Sequence, residues 1–141
     1  MSLAQRFAQI FGRSTCWWGS RFHPGCTVTR GSHTQFGFHW GFFYTGFVLG
    51  LFAVNWLHSL VHLAIGAAGL ASYRSLAGAR SYAIGIGVLY LLLFVIGLIL
   101  PTVFGLVPLN GADNILHLVS GAVALAIGLA SPAPGATRAR A

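Results

Sequence analysis

Residues 55–71 read Asn-Trp-Leu-His-Ser-Leu-Val-His-Leu-Ala-Ile-Gly-Ala-Ala-Gly-Leu-Ala. This stretch is apolar enough to lie in a lipid bilayer, yet it carries two histidines four residues apart. It also recurs, because a shift of 55 positions aligns Asn55 with Asn110 and His62 with His117, together with seven glycine, alanine and leucine positions. The aligned asparagine and histidine predict an internal duplication.

The composition is that of a membrane protein. Of 141 residues, 56% are hydrophobic and 6% are charged, whereas a soluble domain has about 25% charged residues. The net charge of +7 comes from eight arginines and a single acid, Asp113. Because the arginines stand singly at the ends of apolar runs, we interpret this charge as a membrane-topology signal and expect no nucleic-acid partner.

Residues 48–71 are long enough to cross a bilayer, which takes about 20 mostly apolar residues. Residues 82–100 are the clearest of three predicted spans, and residues 115–130 are the last. Residues 3–12 begin like a fourth. In the first of the three, the spanning helix proper starts either near residue 48 or at Asn55, which would be its N-cap. Asn110 or Asp113 would cap the last helix in the same way.

The predicted fold is therefore all-α, a bundle of four transmembrane helices made from two duplicated helical hairpins. Residues 1–130 form this single membrane domain, and residues 131–141 are a Pro/Ala/Arg tail that we expect to be disordered. Arginines 6, 74, 80, 138 and 140 fall on one side of the bundle. The positive-inside rule makes that side cytoplasmic, so both termini are expected inside a bacterial inner membrane.

Residues 13–46 fit this scheme poorly. Arg13 and Arg21 would lie near the middle of a membrane, residues 23–35 read as a polar connection, and the aromatic residues of 36–47 are typical of a membrane interface. The codons of residues 16–19 (Cys-Trp-Trp-Gly), read from the third base of each, encode Leu-Val-Gly. We therefore hypothesise a local reading-frame change over residues 13–22. Mass spectrometry of the protein from its native source tests this, because peptides containing Cys-Trp-Trp would exclude it.

Three stretches resemble a known family. They are residues 50–58 (Gly-Leu-Phe-Ala-Val-Asn-Trp-Leu-His), 60–63 (Leu-Val-His-Leu) and 104–117 (Phe-Gly-Leu-Val-Pro-Leu-Asn-Gly-Ala-Asp-Asn-Ile-Leu-His). They are similar to small bacterial four-helix membrane proteins known as the domain of unknown function 4383 family. The resemblance covers residues 47–129 well and 3–12 loosely, and the chain departs from it over residues 13–46. It implies a four-span membrane protein and no particular chemistry.

Four polar residues in the predicted spans are candidates for a site. His58 and His62 share one face of a helix because they are four residues apart, and Asp113 and His117 repeat that spacing on the last helix. Both helices enter from the outer side in the four-span bundle. His62 and His117 would then lie at equal depth, ~10 Å below the outer end at a rise of 1.5 Å per residue.

Several roles are open for this set. His58, His62, Asp113 and His117 could bind a transition metal. His62 and His117 could instead ligate a haem or another tetrapyrrole, and the Asp–His pair could relay protons. The interpretation we prefer is structural, with neutral histidines and asparagines linking the helices by hydrogen bonds and Asp113 serving as an N-cap.

The predicted function is accordingly a non-catalytic structural or accessory membrane component. The residues between His58 and His62 are Ser, Leu and Val, so no HExxH motif is present, and a single acid excludes paired-carboxylate catalysis. Expected partners are membrane lipid and either further copies of the chain or a larger membrane complex. Small residues let membrane helices approach closely, and the glycines expected to form such contacts are Gly66, Gly69, Gly85, Gly87, Gly97, Gly121 and Gly128.

Overall fold

The computed structural model describes residues 1–20, 46–48, 51–100 and 102–133. Its elements are α1 (Leu3–Ser20), β1 (Gly46–Val48), β2 (Phe52–Val54), α2 (Trp56–Ser72), α3 (Leu76–Ile99), α4 (Val103–Leu106) and α5 (Gly111–Ala130). Four long helices dominate, which confirms the helical fold class. The strands pair antiparallel as a small hairpin, which the sequence analysis did not predict, and α4 is a single turn.

Helix α2 starts at the second of the two predicted positions. Asn55 has an extended backbone, and its side-chain oxygen accepts a hydrogen bond from the backbone N–H of His58 at 2.8 Å. This is the geometry of an N-cap, which satisfies one of the free N–H groups of the first turn. Because β2 occupies residues 52–54, a continuous helix from residue 48 is not formed.

The other helix boundaries differ from the prediction by several residues. Helix α3 begins at Leu76, capped by the side chain of Ser75, so most of the polar link expected over residues 74–80 is helical. Helix α5 begins at Gly111, directly after Asn110, which is the first of its two predicted caps, and four residues ahead of the predicted span of residues 115–130. Helix α1 does not end at residue 12 but continues through Arg13, whose side chain is exposed, to Ser20.

The helices pack as two pairs, α1 with α2 and α3 with α5, as expected for two hairpins. Small residues form the closest contacts. A Cβ added to Gly66 of α2 would lie 2.7 Å from the carbonyl oxygen of Gly12 in α1, and one added to Gly121 of α5 would lie 3.0 Å from the backbone nitrogen of Leu91 in α3. Gly85 is different from the other predicted contact glycines because a Cβ there would meet no atom within 4 Å.

Two helices, Leu76–Ile99 and Gly111–Ala130, are long and apolar enough to cross a membrane. Helix α2 is also apolar but has 17 residues. The predicted interface segment of residues 36–47 lies outside the described residues except at its last two positions. The same holds for the predicted tail beyond residue 133.

Candidate functional site

The starts of α2 and α5 lie side by side. The side-chain amide of Asn55 donates to the carbonyl oxygen of Leu106 at 2.6 Å, and that of Asn110 donates to the carbonyl oxygen of Leu51, also at 2.6 Å. Leu51 and Leu106 are equivalent positions of the predicted duplication, as are the two asparagines. The halves therefore exchange matching hydrogen bonds, which hold both helix N-termini at the same end of the bundle.

Asp113 is not itself the N-cap of α5, which is Asn110, but as the third residue of the helix it takes part in the same cap. Its backbone N–H donates to the side chain of Asn110 at 2.9 Å, while its Oδ2 accepts from the backbone N–H of Asn110 at 3.0 Å and from that of Ala53 at 3.2 Å. The first two bonds form a capping box,. The carboxylate, which is 2% exposed, is thus held by backbone donors and by the positive end of the helix dipole.

His58 is oriented by the backbone of β2. Its Nδ1 lies 3.1 Å from the carbonyl oxygen of Ala53. A carbonyl only accepts hydrogen bonds, so Nδ1 carries the proton and a neutral ring has its lone pair on Nε2. That Nε2 lies 3.0 Å from Nε2 of His62. The lone pair of His58 therefore points at its neighbour one turn along the helix.

His117 completes a buried cluster of three histidines. One ring nitrogen from each of His58, His62 and His117 lies within 4.8 Å of the other two. All three side chains are buried, with exposed fractions of 4%, 7% and 2% in that order. The structure thus places His62 and His117 together inside the bundle, joined by His58. Asp113, the fourth member of the predicted set, is instead engaged by the cap of α5.

Tyr90 of α3 forms one wall of the cluster, and the sequence analysis did not single it out. Its ring centroid lies 5.1 Å from that of His117 and 6.5 Å from that of His62, both in edge-on geometry. Phe11 of α1 packs on the other side of Tyr90, at 5.7 Å. Its phenol lies in the middle of the apolar run Val-Leu-Tyr-Leu-Leu-Leu. Because polar groups within apolar spans commonly have a function, this position could have indicated Tyr90 as a candidate site residue.

The fold and this centre define a class, the small helical bundle of paired hairpins with polar side chains at its core. Residues 20–130 match the model of the family described as Domain of unknown function (DUF4383), which is well over half of the chain. The protein belongs to that family, as its motifs suggested. The match begins at the end of α1. Neither a curated protein nor a solved structure matches the chain.

Proposed function

We propose that this protein is a multi-pass component of the bacterial inner membrane, structural or accessory in role and without catalytic activity of its own. The observation that carries the proposal is the inverted distribution of polarity. Several polar side chains are buried inside the bundle, and large apolar side chains cover its outside. Water-soluble proteins have the opposite arrangement, whereas lipid requires this one.

The exposed fractions make the inversion quantitative. Asn55, Asp113 and His117 are each 2% exposed. On the outside of α3 and α5, seven large aliphatic side chains are at least half exposed: Leu92, Val95, Leu98, Ile99, Ile115, Val119 and Leu129. Contiguous apolar patches of this kind are rare on soluble monomers. Lipid chains, or apolar surfaces of a partner in the membrane, would cover them.

Helices α1 and α2 are less apolar or shorter than α3 and α5, and their insertion rests on packing. In α1, Arg6 and Arg13 are exposed. The close approach of Gly12 to Gly66 ties α1 to α2, and the matched asparagine bonds tie the start of α2 to that of α5. These contacts support four helices crossing together, with both termini and the α2–α3 turn in the cytoplasm.

The chemistry of the centre also supports a non-catalytic role. The carboxylate of Asp113 is held by two backbone N–H groups, and the ring of His58 is held by a backbone carbonyl. Groups engaged in this way hold helix ends and helix pairs together. Lipid is the partner that the exterior fits directly, and a second copy of the chain or a larger membrane complex could cover part of the same apolar face.

Two single cysteines test the insertion and the orientation. In a background where Cys16 and Cys26 are replaced, Ala77→Cys lies beside the α2–α3 turn and Gly111→Cys lies at the start of α5; both positions are exposed. We expect a membrane-impermeant thiol reagent to label Gly111→Cys in intact spheroplasts and Ala77→Cys only after permeabilisation. Labelling of Ala77→Cys in intact spheroplasts would overturn the orientation, and release of the protein by alkaline carbonate would overturn membrane insertion.

A further inference from the structure

We propose that His58, His62 and His117 form a binding site for one divalent transition-metal ion, for which Zn²⁺ is the probe. This inference goes beyond the proposed membrane role and does not depend on the orientation of the chain. It rests on three observations: the distances between the imidazole nitrogens, the hydrogen bond that orients His58, and a buried imidazole nitrogen that makes no hydrogen bond.

The spacing suits direct coordination. In a tetrahedral site with Zn–N bonds of about 2.0–2.1 Å, two ligand nitrogens lie about 3.3 Å apart. The Nε2 atoms of His58 and His62 are 3.0 Å apart, and the three ring nitrogens converge within 4.8 Å. Binding of one ion by all three rings requires the widest of these separations to shorten from 4.8 Å to about 3.3 Å,. Neutral imidazole is a ligand that suits Zn²⁺ and its first-row neighbours.

The surroundings of His58 are those of a metal ligand. Metal-binding histidines commonly donate their second ring N–H to a backbone carbonyl or a carboxylate, which fixes the tautomer and turns the lone pair to the ion. His58 does this through Ala53. Ala53 is itself fixed, because its N–H donates to Asp113 and its side chain is fully buried. Asp113, the one acidic side chain of the protein, is thus linked to the cluster through a single residue. Its negative charge is opposite in sign to that of a bound cation, which it would stabilise.

Hydrogen bonds between neutral histidines satisfy the cluster less well. His58 uses its one proton on Ala53, so its Nε2 can only accept. Within the described part of the chain, Nδ1 of His117 is buried and makes no hydrogen bond. A buried polar nitrogen without a partner is costly. An ion at this place would take one lone pair from each of the three rings.

A bare ion fits this centre better than a tetrapyrrole. The three nitrogens converge on one point, whereas a macrocycle would need an open slot between helices. One turn beyond His117, Gly121 already packs against the backbone of α3, where a Cβ would come within 3.0 Å of the nitrogen of Leu91. Tyr90 and His117 are also in direct ring contact. Helices α3 and α5 are therefore closed together beside the cluster.

The test is metal binding by the full chain in detergent, purified through a tag without histidine and stripped with a chelator. We expect one Zn²⁺ per chain by metal analysis and competition titration. His62→Gln and His117→Gln should each weaken binding at least about tenfold, a loss as large as second-shell changes cause. Ser59→Ala is the matched control, because Ser59 lies between the two histidines of α2 and is 5% exposed; it should bind as the unmodified chain does.

The remaining histidines provide the opposing test. A variant with His23, His33 and His39 all changed to Asn should keep its zinc. Loss of zinc from that variant, unchanged binding in both single variants, or no more zinc on the unmodified chain than on His58→Asn/His62→Gln/His117→Gln would each overturn the site. X-ray absorption on the unmodified zinc-loaded chain needs no variant to fold. It should show at least three nitrogens at about 2.0–2.1 Å, and a sulfur or all-oxygen shell would refute the proposal.

Discussion

The first turns of α2 and α5 occupy equivalent places in the duplicated chain and differ at one decisive residue. Asn55 and Asn110 cap the two helices in the same way, each accepting from the N–H three residues later. That third residue is His58 in one half and Asp113 in the other. Asp113 folds back to close a capping box, whereas His58 turns its ring away from the cap and towards His62.

Ala53 of β2 explains how the two residues are both accommodated. Its N–H donates to the carboxylate of Asp113, and its carbonyl oxygen accepts from the ring of His58. The backbone of one residue thus provides a donor for the aspartate of α5 and an acceptor for the histidine of α2. The two repeats therefore share their capping asparagines but differ in the third helical residue. In α5 that residue completes the helix cap, and in α2 it is a buried histidine.

The largest effect on stability is expected from His58→Asp, which gives the first turn of α2 the same acidic residue as the first turn of α5. His58→Asp removes the ring N–H that donates to the buried carbonyl oxygen of Ala53 and adds a second carboxylate on the other side of Ala53 from Asp113. A capping box with Asn55, like that of Asp113 with Asn110, supplies neither the lost donor nor the imidazole volume, and it leaves two buried carboxylates close together, at a total cost of about 3 kcal/mol. We expect the free energy of unfolding in detergent micelles, followed by circular dichroism, to fall by that amount.

His58→Asn is the control for this change. An amide can donate to the carbonyl of Ala53 as the imidazole does, so the cost should stay near about 1 kcal/mol. Equal losses for the aspartate and the asparagine variants would show that ring volume, and not the donor to Ala53, makes the two halves differ.

The spacing of residues in the sequence predicted the features that the two repeats share, the asparagine caps and the paired histidines, better than the features in which they differ. Asn55 and Asn110 marked helix starts because a cap is a local property, set by one side chain and the N–H groups beside it. The meeting of His62 and His117 followed from the repeat. The preferred role of Asp113, in the cap of α5, was correct only in part, because Asn110 is the N-cap and Asp113 closes the box from the third helical position. A carboxylate in a first turn can serve at either position until the helix start is known.

Other features depend on contacts that are distant in sequence. The β1–β2 hairpin contributes Ala53, whose backbone no side-chain pattern reveals. Tyr90 belongs to the site only because α3 packs beside α5. Helix α1 was expected to fail at Arg13 as a membrane span, yet the arginine is exposed on a helix that continues to Ser20. A helix with one buried face accepts such a residue on the other.

The contact glycines provide a second comparison of the two repeats, with a smaller expected effect on stability. Gly66 and Gly121 are equivalent, but a Cβ on Gly66 would lie 2.5 Å from the backbone nitrogen of Cys16, and one on Gly121 would lie 3.0 Å from that of Leu91. Overpacking costs about 1–3 kcal/mol. We expect Gly66→Ala to fall at the upper end of this range and Gly121→Ala at the lower end, in thermal and chemical unfolding of the micellar protein.

Gly85→Ala is the internal control, because a Cβ there meets nothing within 4 Å. Alanine favours a helix over glycine by about 0.5–1 kcal/mol, so this variant should be as stable as the unmodified chain or more so. A Gly66→Ala variant as stable as Gly85→Ala would contradict the close contact between α1 and α2 at Gly66.

The smallest expected effect isolates the exchanged asparagine bonds. Asn→Ser keeps a capping oxygen but removes the amide that donates across to the other half. The bond from Asn55 to Leu106 is partly buried, so water replaces it incompletely and Asn55→Ser should cost about 1 kcal/mol. The bond from Asn110 to Leu51 is exposed, so water can replace it and Asn110→Ser should cost less than half as much. Unfolding of the two variants and of their combination measures both terms. A loss in the double variant greater than the sum would mean that the two bonds support each other, whereas equal single losses would mean that burial does not distinguish the two helix starts.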